Sequence, residues 1–162
     1  MKNRLLSALL VLCLALAFCP GTVLAADVAL SPQKLMVDGK AINCEKYNID
    51  GSNYFKLRDL AAVLTGTGSQ FNVGYDSATS TVTITTGEAY TPAATDLVVG
   101  ADNSASAQPS SQAILIDGAR HSELTVYNIG GSNFFQLREL GNVLGFDVGY
   151  DQATNTATVS SR

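Results

Sequence analysis

The chain has 162 residues, of which 46% are hydrophobic and 15% are charged. The formal net charge is −4, and it becomes about −6 without Lys2 and Arg4, because eight basic residues then stand against fourteen acidic ones. This acidic balance disfavours nucleic acid as a partner.

Residues 1–25 have the pattern of a secretory signal peptide. Two basic residues precede an apolar run from Leu5 to Phe18, and small residues follow up to Ala25. A helix over this run is about 21 Å long, whereas the hydrocarbon core of a bilayer is roughly 30 Å thick, which disfavours an uncleaved membrane anchor. We therefore expect cleavage after Ala25 and a secreted, extracellular protein that is associated with the cell wall or released, with no membrane contact after cleavage.

Only one cysteine, Cys44, remains once the signal is removed, because Cys13 and Cys19 lie within it. No intramolecular disulfide can then form, so packing must hold the fold together. Cys44 aligns with Leu124 of the repeat described next, which indicates a small buried hydrophobic residue. A reactive or pairing thiol is the alternative.

The chain contains an internal sequence repeat. The stretch YNIDGSNYFKLRDL begins at Tyr47, and YNIGGSNFFQLREL begins at Tyr127. Further on, FNVGYDSATSTVTI from Phe71 is answered by FDVGYDQATNTATV from Phe146. Two homologous units are the simplest explanation of this repeat.

We assign the two units to residues 33–86 and 113–160. The stretch between them, residues 87–112, contains Pro, Ser, Ala and Gln in proportions typical of a linker. The apolar residues 97–99 interrupt this composition and are candidates to dock on one of the units.

Each unit has the pattern of three strands, one helix and two further strands. Alternating apolar residues precede Asp38-Gly39 and Asp117-Gly118, dipeptides that favour a tight hairpin turn. A third strand over NYFKL or NFFQL leads into a segment with leucine and valine at helical spacing, and Gly145 ends the second helix. Such a short helix is unstable in water alone, so it must lie on the sheet.

The segments VDGK, YFKLRDLAAVL and VGYD with ATSTVTIT, in this order, resemble the copper amine oxidase N-terminal-like domain. This family, also called the stalk domain, occurs in secreted and surface proteins of Gram-positive bacteria. Both copies carry the resemblance, which covers about two thirds of the chain. Tyr75 and Tyr150 depart from it, since tryptophan is expected there in many relatives.

The resemblance implies a small antiparallel sheet of five strands curled around one helix, in a domain remote from copper and without catalytic activity. Together with the element pattern, it leads us to expect an α+β fold of two tandem small domains. Each would be a roughly five-stranded antiparallel sheet curled around one short α-helix.

The chain offers few groups for metal or covalent chemistry. A copper site of the oxidase type needs several imidazoles, whereas this chain has only His121, which we expect in a solvated loop. Ser52 and Ser132 lie in GSN segments suited to turns and lack the strand-to-helix elbow of a hydrolase serine. We therefore expect no metal, no cofactor and no catalytic residue.

Two pairs of charged residues recur at the start of the predicted helices. Asp59 and Glu139 are placed where negative charge is favoured, and an acid-base pair of a hydrolase is the alternative. We expect Arg58 and Arg138 to form structural ion pairs, with Asp76 or Asp151 as partners, or else to bind a carboxylate of a ligand.

Aromatic neighbours on the third strand indicate a candidate binding face. Tyr54 and Phe55 are adjacent, as are Phe134 and Phe135, so one ring of each pair is expected to face outward. A ligand face, domain packing and isolated surface rings are the alternatives. The residues of the candidate ligand or partner face are Tyr54, Phe134, Arg58 and Arg138.

These patterns together favour a secreted, non-catalytic protein of tandem stalk domains. It would serve as a structural spacer or adhesion module at the Gram-positive cell envelope. The alternative is a cell-wall glycan-binding module. The expected partner is a cell-wall polysaccharide or another surface protein.

Overall fold

In the computed structural model, residues 26–162 are described, and the predicted signal peptide at residues 1–25 lies outside the described residues. The regular secondary structure of the described chain is mostly β-strand, with two short α-helices, which confirms the predicted α+β class. Within this part of the chain, the length and hydropathy of every helix fall short of what crossing a bilayer requires.

The first half of the described chain contains seven strands and one helix. In chain order they are β1 (Val28–Leu30), β2 (Lys34–Val37), β3 (Lys40–Ile42), β4 (Lys46–Ile49), β5 (Ser52–Lys56), α1 (Leu57–Leu64), β6 (Phe71–Asp76) and β7 (Thr81–Thr86). The predicted hairpin turn lies between β2 and β3, where Asp38 and Gly39 have positive φ angles of 48° and 78°. Strand β4 is additional to the predicted strands and pairs with β5.

The second half repeats this order after a short connecting region. A 3₁₀ turn at Ser104–Ser106 is followed by β8 (Gln108–Pro109), β9 (Ala113–Ile116), β10 (Ala119–Arg120), β11 (Val126–Ile129), β12 (Ser132–Gln136), α2 (Leu137–Leu144), β13 (Asp147–Asp151) and β14 (Thr156–Ser160). Helix α2 ends as predicted at Gly145, which has a φ of 80°. Helix α1 ends instead at Thr65, whose hydroxyl donates to the carbonyl of Ala61 at 2.9 Å.

Every sheet contains strands of both copies. The largest has the order β1-β4-β5-β12-β11-β8, and its centre is the antiparallel pair of β5 with β12. The two smaller sheets have the orders β10-β9-β7-β6 and β13-β14-β2-β3. The copies thus contribute equivalent strands to a shared arrangement.

The two copies exchange their N-terminal hairpins. The β2–β3 hairpin of the first copy pairs with β14 of the second, and the β9–β10 hairpin of the second pairs with β7 of the first. Both of these contacts are parallel. The observed sheets therefore differ from the expected five-stranded antiparallel sheet within each copy.

The side chains at these pairings explain why a hairpin could pair with the last strand of its own copy or with that of the other copy. Leu35 and Val37 on β2 are buried and lie opposite Ala157 and Val159 on β14. The equivalent strand β7 of the first copy carries Val82 and Ile84 with the same alternation. Because the apolar spacing of β7 and β14 is the same, it does not specify which of them a hairpin joins.

The central sheet is buried on both faces. Phe55 and Phe135 belong to the main hydrophobic cluster, which also contains both helices. The opposite face carries a second cluster of Tyr47, Ile49, Tyr54, Ile129 and Phe134. Residues near the start of the described chain and near the 3₁₀ turn pack against this second cluster, with Val28 and Ala107 among them.

The stretch predicted as a linker, residues 87–112, is held to the rest of the chain at several points. Tyr90 and Asp96 are buried, and β8 pairs with β11. The backbone N–H of Asn103 donates to the hydroxyl of Tyr47 at 3.1 Å. The apolar residues expected to dock, 97–99, are instead exposed, and docking is achieved by Tyr90 and Asp96.

Candidate functional site

Two clefts lie at opposite ends of the β5–β12 pair. We call them the Arg58 cleft, with a volume of about 480 Å³, and the Arg138 cleft, with a volume of about 530 Å³. The lining of the Arg58 cleft includes Arg58, Tyr75, Asp96, Gln112, Ser132 and Asn133. The lining of the Arg138 cleft includes Gln33, Ser52, Asn53, Gln136, Arg138 and Tyr150.

Each cleft is built from both copies of the repeat. The helix and the β6 or β13 strand of one copy supply the arginine and the tyrosine. The first two residues of β12 or β5 of the other copy supply the serine and the asparagine. The equivalent pairs are Arg58 with Arg138, Tyr75 with Tyr150, Ser132 with Ser52, and Asn133 with Asn53. The repeated sequence thus produces two versions of one site.

Hydrogen bonds to neighbouring side chains hold the amide groups of both clefts in place. In the Arg58 cleft, the Nδ2 of Asn133 donates to the Oε1 of Gln112 at 2.7 Å. In the Arg138 cleft, the hydroxyl of Ser31 donates to the Oδ1 of Asn53 at 2.7 Å, and the Nε2 of Gln136 donates to the hydroxyl of Ser52 at 3.2 Å. Amides restrained in this way lose little conformational freedom when a ligand binds.

Arg58 and Arg138 are exposed at the second position of α1 and α2. Within residues 26–162, neither guanidinium forms an ion pair. A guanidinium presents five N–H donors in a planar fork that matches a carboxylate or a phosphate. Both clefts therefore offer an exposed cation to a ligand.

The predicted ion pairs of these arginines with Asp76 and Asp151 are not formed, and this prediction is wrong. Asp76 accepts a hydrogen bond from the hydroxyl of Thr79 at 2.7 Å, and Asp151 accepts one from Thr154 at 2.7 Å. Both aspartates therefore close their own hairpin turns, since a short acidic side chain bonds readily to residues two or three positions along the chain.

Tyr75 and Tyr150 line the two clefts, whereas the sequence indicated them only as departures from the stalk-domain resemblance. The same residue occurs at the equivalent position of both copies, and the two side chains are 48% and 51% exposed. The hydroxyl of Tyr150 donates to the Oδ1 of Asn155 at 3.1 Å, and the Nε2 of Gln112 lies 3.5 Å from the hydroxyl of Tyr75. The recurrence of an aromatic residue at the same position of both copies is the sequence signal that could have identified them.

The structure buries the two rings that were expected to face outward. Tyr54 is 5% exposed and Phe134 is 0% exposed. The ring of Phe134 packs edge-on against Tyr47, with the centroids 5.1 Å apart, and Tyr54 packs in the same way against Tyr127 at 5.3 Å. The expectation failed because it assumed that one face of the sheet is solvated. Of the four predicted face residues, only Arg58 and Arg138 line a cleft as exposed side chains.

A group of buried charged residues closes one side of the Arg58 cleft. The ammonium of Lys56 lies 3.5 Å from the Oδ1 of Asp59 and donates to the carbonyl of Thr95 at 3.0 Å. Asp96 is 8% exposed, and its Oδ2 accepts hydrogen bonds from the hydroxyl of Tyr90 at 2.8 Å and from the N–H of Ala93 at 2.7 Å. Its Oδ1 has no hydrogen-bond partner among the described residues.

The two clefts differ at this point. Gln136 occupies the position in the Arg138 cleft that Lys56 occupies in the Arg58 cleft. The connecting residues Thr95 and Asp96 line the Arg58 cleft, whereas the described residues that line the Arg138 cleft include no carboxylate. The Arg58 cleft therefore offers an additional hydrogen-bond acceptor.

The carboxylates considered for catalysis lie outside the linings of both clefts. Asp59 is buried, and its Oδ1 accepts the N–H of Leu97 at 2.9 Å. Burial raises the pKa of Asp59, while the N–H of Leu97 and the Lys56 ammonium lower it less. Glu139 accepts the N–H of Thr125 at 2.7 Å. Each carboxylate fastens a neighbouring chain segment to a helix start.

The remaining candidates have structural surroundings. Cys44 is buried as predicted, and burial raises the pKa of its thiol to about 11. The Nδ1 of His121 lies 2.6 Å from the Oε1 of Glu123 in a loop, in agreement with its predicted place. Within residues 26–162, no three side chains of His, Cys, Asp or Glu come together as metal ligands.

The fold and the clefts define an α+β protein with two internally equivalent surface sites. Comparisons with protein-family models, with curated proteins and with solved structures gave no match to this chain.

Proposed function

We propose that the protein is a secreted, non-catalytic module of the Gram-positive cell envelope that binds cell-wall polysaccharide in the Arg58 cleft and the Arg138 cleft. The signal pattern of residues 1–25 and the resemblance to stalk domains support the cellular location. The clefts support polysaccharide as the ligand.

The observation that carries the proposal is that the same exposed residues recur in both clefts. Arg58 and Arg138 are exposed and outside any ion pair in the described chain, and Tyr75 and Tyr150 are about half exposed. Packing does not require an arginine or a tyrosine at such positions, since substitutions at exposed sites change stability little. A ligand that uses both clefts accounts for their presence in both copies.

The chemistry of the clefts suits a sugar. A tyrosine ring presents a flat apolar face against the C–H groups of a pyranose, and its hydroxyl and the neighbouring amides can bond to the sugar hydroxyls. Gln112, Asn133 and Ser132 supply such groups beside Tyr75. Gln33, Asn53 and Ser52 supply them beside Tyr150.

The non-catalytic assignment is supported by the residues that the clefts contain. Their polar groups are mainly amides, hydroxyls and guanidiniums, which bind hydroxyl and acidic groups but do not transfer protons readily at neutral pH. The alternative hydrolase carboxylates, Asp59 and Glu139, bond to backbone N–H groups and do not line either cleft.

A structural spacer is the second candidate, and the exchanged hairpins favour it. Because β2 pairs with β14 and β7 pairs with β9, the two copies cannot separate without breaking both parallel pairings. Such an interlocked arrangement suits a module under mechanical load, whether or not it also holds polysaccharide.

Retention on purified Gram-positive cell wall distinguishes the two candidates. The chain from Ala26 to Arg162 is expected to bind saturably and to be displaced by soluble wall glycan. Tyr75→Ala with Tyr150→Ala is expected to weaken retention roughly two- to tenfold for each cleft, the range for loss of an aromatic contact. Val99→Ala, at an exposed residue outside both clefts, is the control. A spacer alone shows no saturable retention, and that result overturns the polysaccharide proposal.

A further inference from the structure

We infer that the ligand of both clefts is an anionic saccharide, whose carboxylate or phosphate is held by Arg58 in one cleft and by Arg138 in the other. This inference rests on the proposed polysaccharide function and names the chemical class of the ligand.

The exposed charge of each cleft is opposite in sign to the net charge of the whole chain. Of the charged side chains that line the Arg58 cleft, Lys56 lies 3.5 Å from Asp59 and Asp96 is buried, so the exposed charge is that of Arg58. Among the described residues that line the Arg138 cleft, Arg138 is the one charged side chain. The whole chain has a formal net charge of −4. Two positive clefts on an acidic protein indicate selection of an anion at close range, because exposed charges farther away are screened by salt.

The acidic residues that were the predicted partners of Arg58 and Arg138 are already bound to other groups. Asp76 and Asp151 each close a turn by accepting a threonine hydroxyl and a backbone N–H. Two other cations, Lys56 and Arg162, lie beside Asp59 and Asp147. Arg58 and Arg138 have no such partner in the described chain and line the clefts, so a ligand in either cleft can pair with them.

The neighbouring groups complement an acidic sugar and do not compete with it. In the Arg138 cleft, the hydroxyl of Ser52 accepts the Nε2 of Gln136, which leaves its own O–H to donate to a ligand. Tyr150 lines the same cleft as Arg138, so a sugar ring on the tyrosine places an acidic substituent within the cleft of the guanidinium. The Arg58 cleft repeats this combination with Tyr75.

The buried carboxylate of Asp96 adds a second requirement in the Arg58 cleft. Its Oδ1 lacks a hydrogen-bond partner among the described residues, although Asp96 is 8% exposed and lines the cleft. A buried acceptor is satisfied by a ligand that donates a hydroxyl or ammonium hydrogen. The Arg58 cleft is therefore expected to prefer a saccharide that carries a donor beside its acidic group.

The test compares one cell-wall preparation in three forms. Untreated wall carries both acidic groups, wall treated with hydrofluoric acid has lost its phosphodiesters, and wall treated with a carbodiimide and ammonia has its carboxylates converted to amides. Loss of an ionic partner is expected to weaken retention about tenfold or more on the form that lacks the recognised group. Loss on the first treatment assigns phosphate, and loss on the second assigns carboxylate.

The arginine variants test the same point from the protein side. Arg58→Gln with Arg138→Gln is expected to remove the difference between treated and untreated wall, and each single variant is expected to lower the binding capacity by about half. Arg120→Gln, at an exposed arginine outside both clefts, is the matched control and should behave as the unaltered chain. Unchanged retention on both treated walls overturns the inference but leaves polysaccharide binding in place. Absence of retention on untreated wall overturns the proposed function itself.

Discussion

Phe55 and Phe135 lie directly opposite each other at the centre of the β5–β12 pair, and both are buried. They are equivalent residues of the two copies, and both belong to the main hydrophobic cluster. The contact therefore couples the packing of one copy to that of the other.

We predict that Phe135→Ala destabilises the whole protein and not the second copy alone. Truncation of a buried phenylalanine typically costs about 3–5 kcal/mol. Urea unfolding followed by circular dichroism should show one transition, shifted to lower urea. Val98→Ala, at an exposed residue, should change the free energy of unfolding by less than about 0.5 kcal/mol. Two separate transitions, with one unchanged by Phe135→Ala, would contradict the coupling.

The exchanged hairpins predict that the halves do not fold alone. In a fragment of residues 26–100, the β2–β3 hairpin lacks β14, and β7 lacks β9. Fragments of this size are marginal even with a complete core. Separate fragments 26–100 and 101–162 should give poorly dispersed amide NMR spectra, and mixing them should restore a dispersed spectrum. A well-dispersed spectrum of fragment 26–100 by itself would show that its hairpin can pair with its own β7 and that the exchange is dispensable.

Because the pKa of Asp59 is raised in the folded state, we predict that its contribution to the stability of the protein falls as the pH rises. Burial raises its folded-state pKa above the ordinary value of 3.8. Below that ordinary value the carboxyl is neutral in both states, and its contribution to stability is fully present. As the pH rises through the folded-state pKa, the unfolded chain ionises first, so the free energy of unfolding falls. Relative to Asp59→Asn, the unaltered protein should therefore lose stability with rising pH.

The measurement is the free energy of unfolding of both proteins from about pH 3 to about pH 7. Asp76→Asn is the control of opposite sign. The Thr79 hydroxyl and the Ala78 N–H lower the pKa of Asp76, so its contribution to stability is present above 3.8 and is lost as the pH falls. If the stability difference between Asp59→Asn and the unaltered protein changes with pH in the same direction as that for Asp76→Asn, the burial argument for Asp59 is wrong.

Gly149 lies in the lining of the Arg138 cleft and has no room for a side chain. A Cβ at this position would lie 2.5 Å from the hydroxyl oxygen of Thr158 on the neighbouring strand. Gly149→Ala should therefore destabilise the protein by about 1–3 kcal/mol, although alanine in a strand is otherwise favourable. Adding Thr158→Ala should restore most of the loss.

Gly100→Ala is the control for this substitution, since a Cβ at Gly100 meets no atom within 4 Å. The comparison uses thermal unfolding of the three variants. Equal stability of Gly149→Ala and Gly100→Ala would mean that Thr158 moves aside without cost. The same contact recurs between Gly74 and Thr83, so Gly74→Ala repeats the test in the first copy and should destabilise the protein in the same way.

Local patterns in the sequence predicted the elements well. The hairpin turns at Asp38-Gly39 and Asp117-Gly118, the helices Leu57–Leu64 and Leu137–Leu144, and the end of α2 at Gly145 are all observed. Each depends on residues close together along the chain, such as a turn dipeptide or a helical spacing of leucines. The burial of Cys44 followed from its alignment with Leu124 in the same way.

The candidate site was only partly predictable. Arg58 and Arg138 were among the candidate face residues, and they line the clefts. Tyr54 and Phe134 were included because alternation along a strand sends neighbouring side chains to opposite faces, but both faces of this sheet are covered. Whether a face is covered depends on distant segments, which the alternation within a strand does not describe.

The sequence by itself determined that the chain is a duplicated α+β unit, because repetition, turn residues and apolar spacing are properties of short stretches. The tertiary structure decided which copy each hairpin joins. It also paired β5 with β12, which places the start of each of these strands beside the arginine and tyrosine of the other copy. The physical reason is that β7 and β14 present the same apolar alternation to either hairpin. The choice between them depends on the packing of the whole chain.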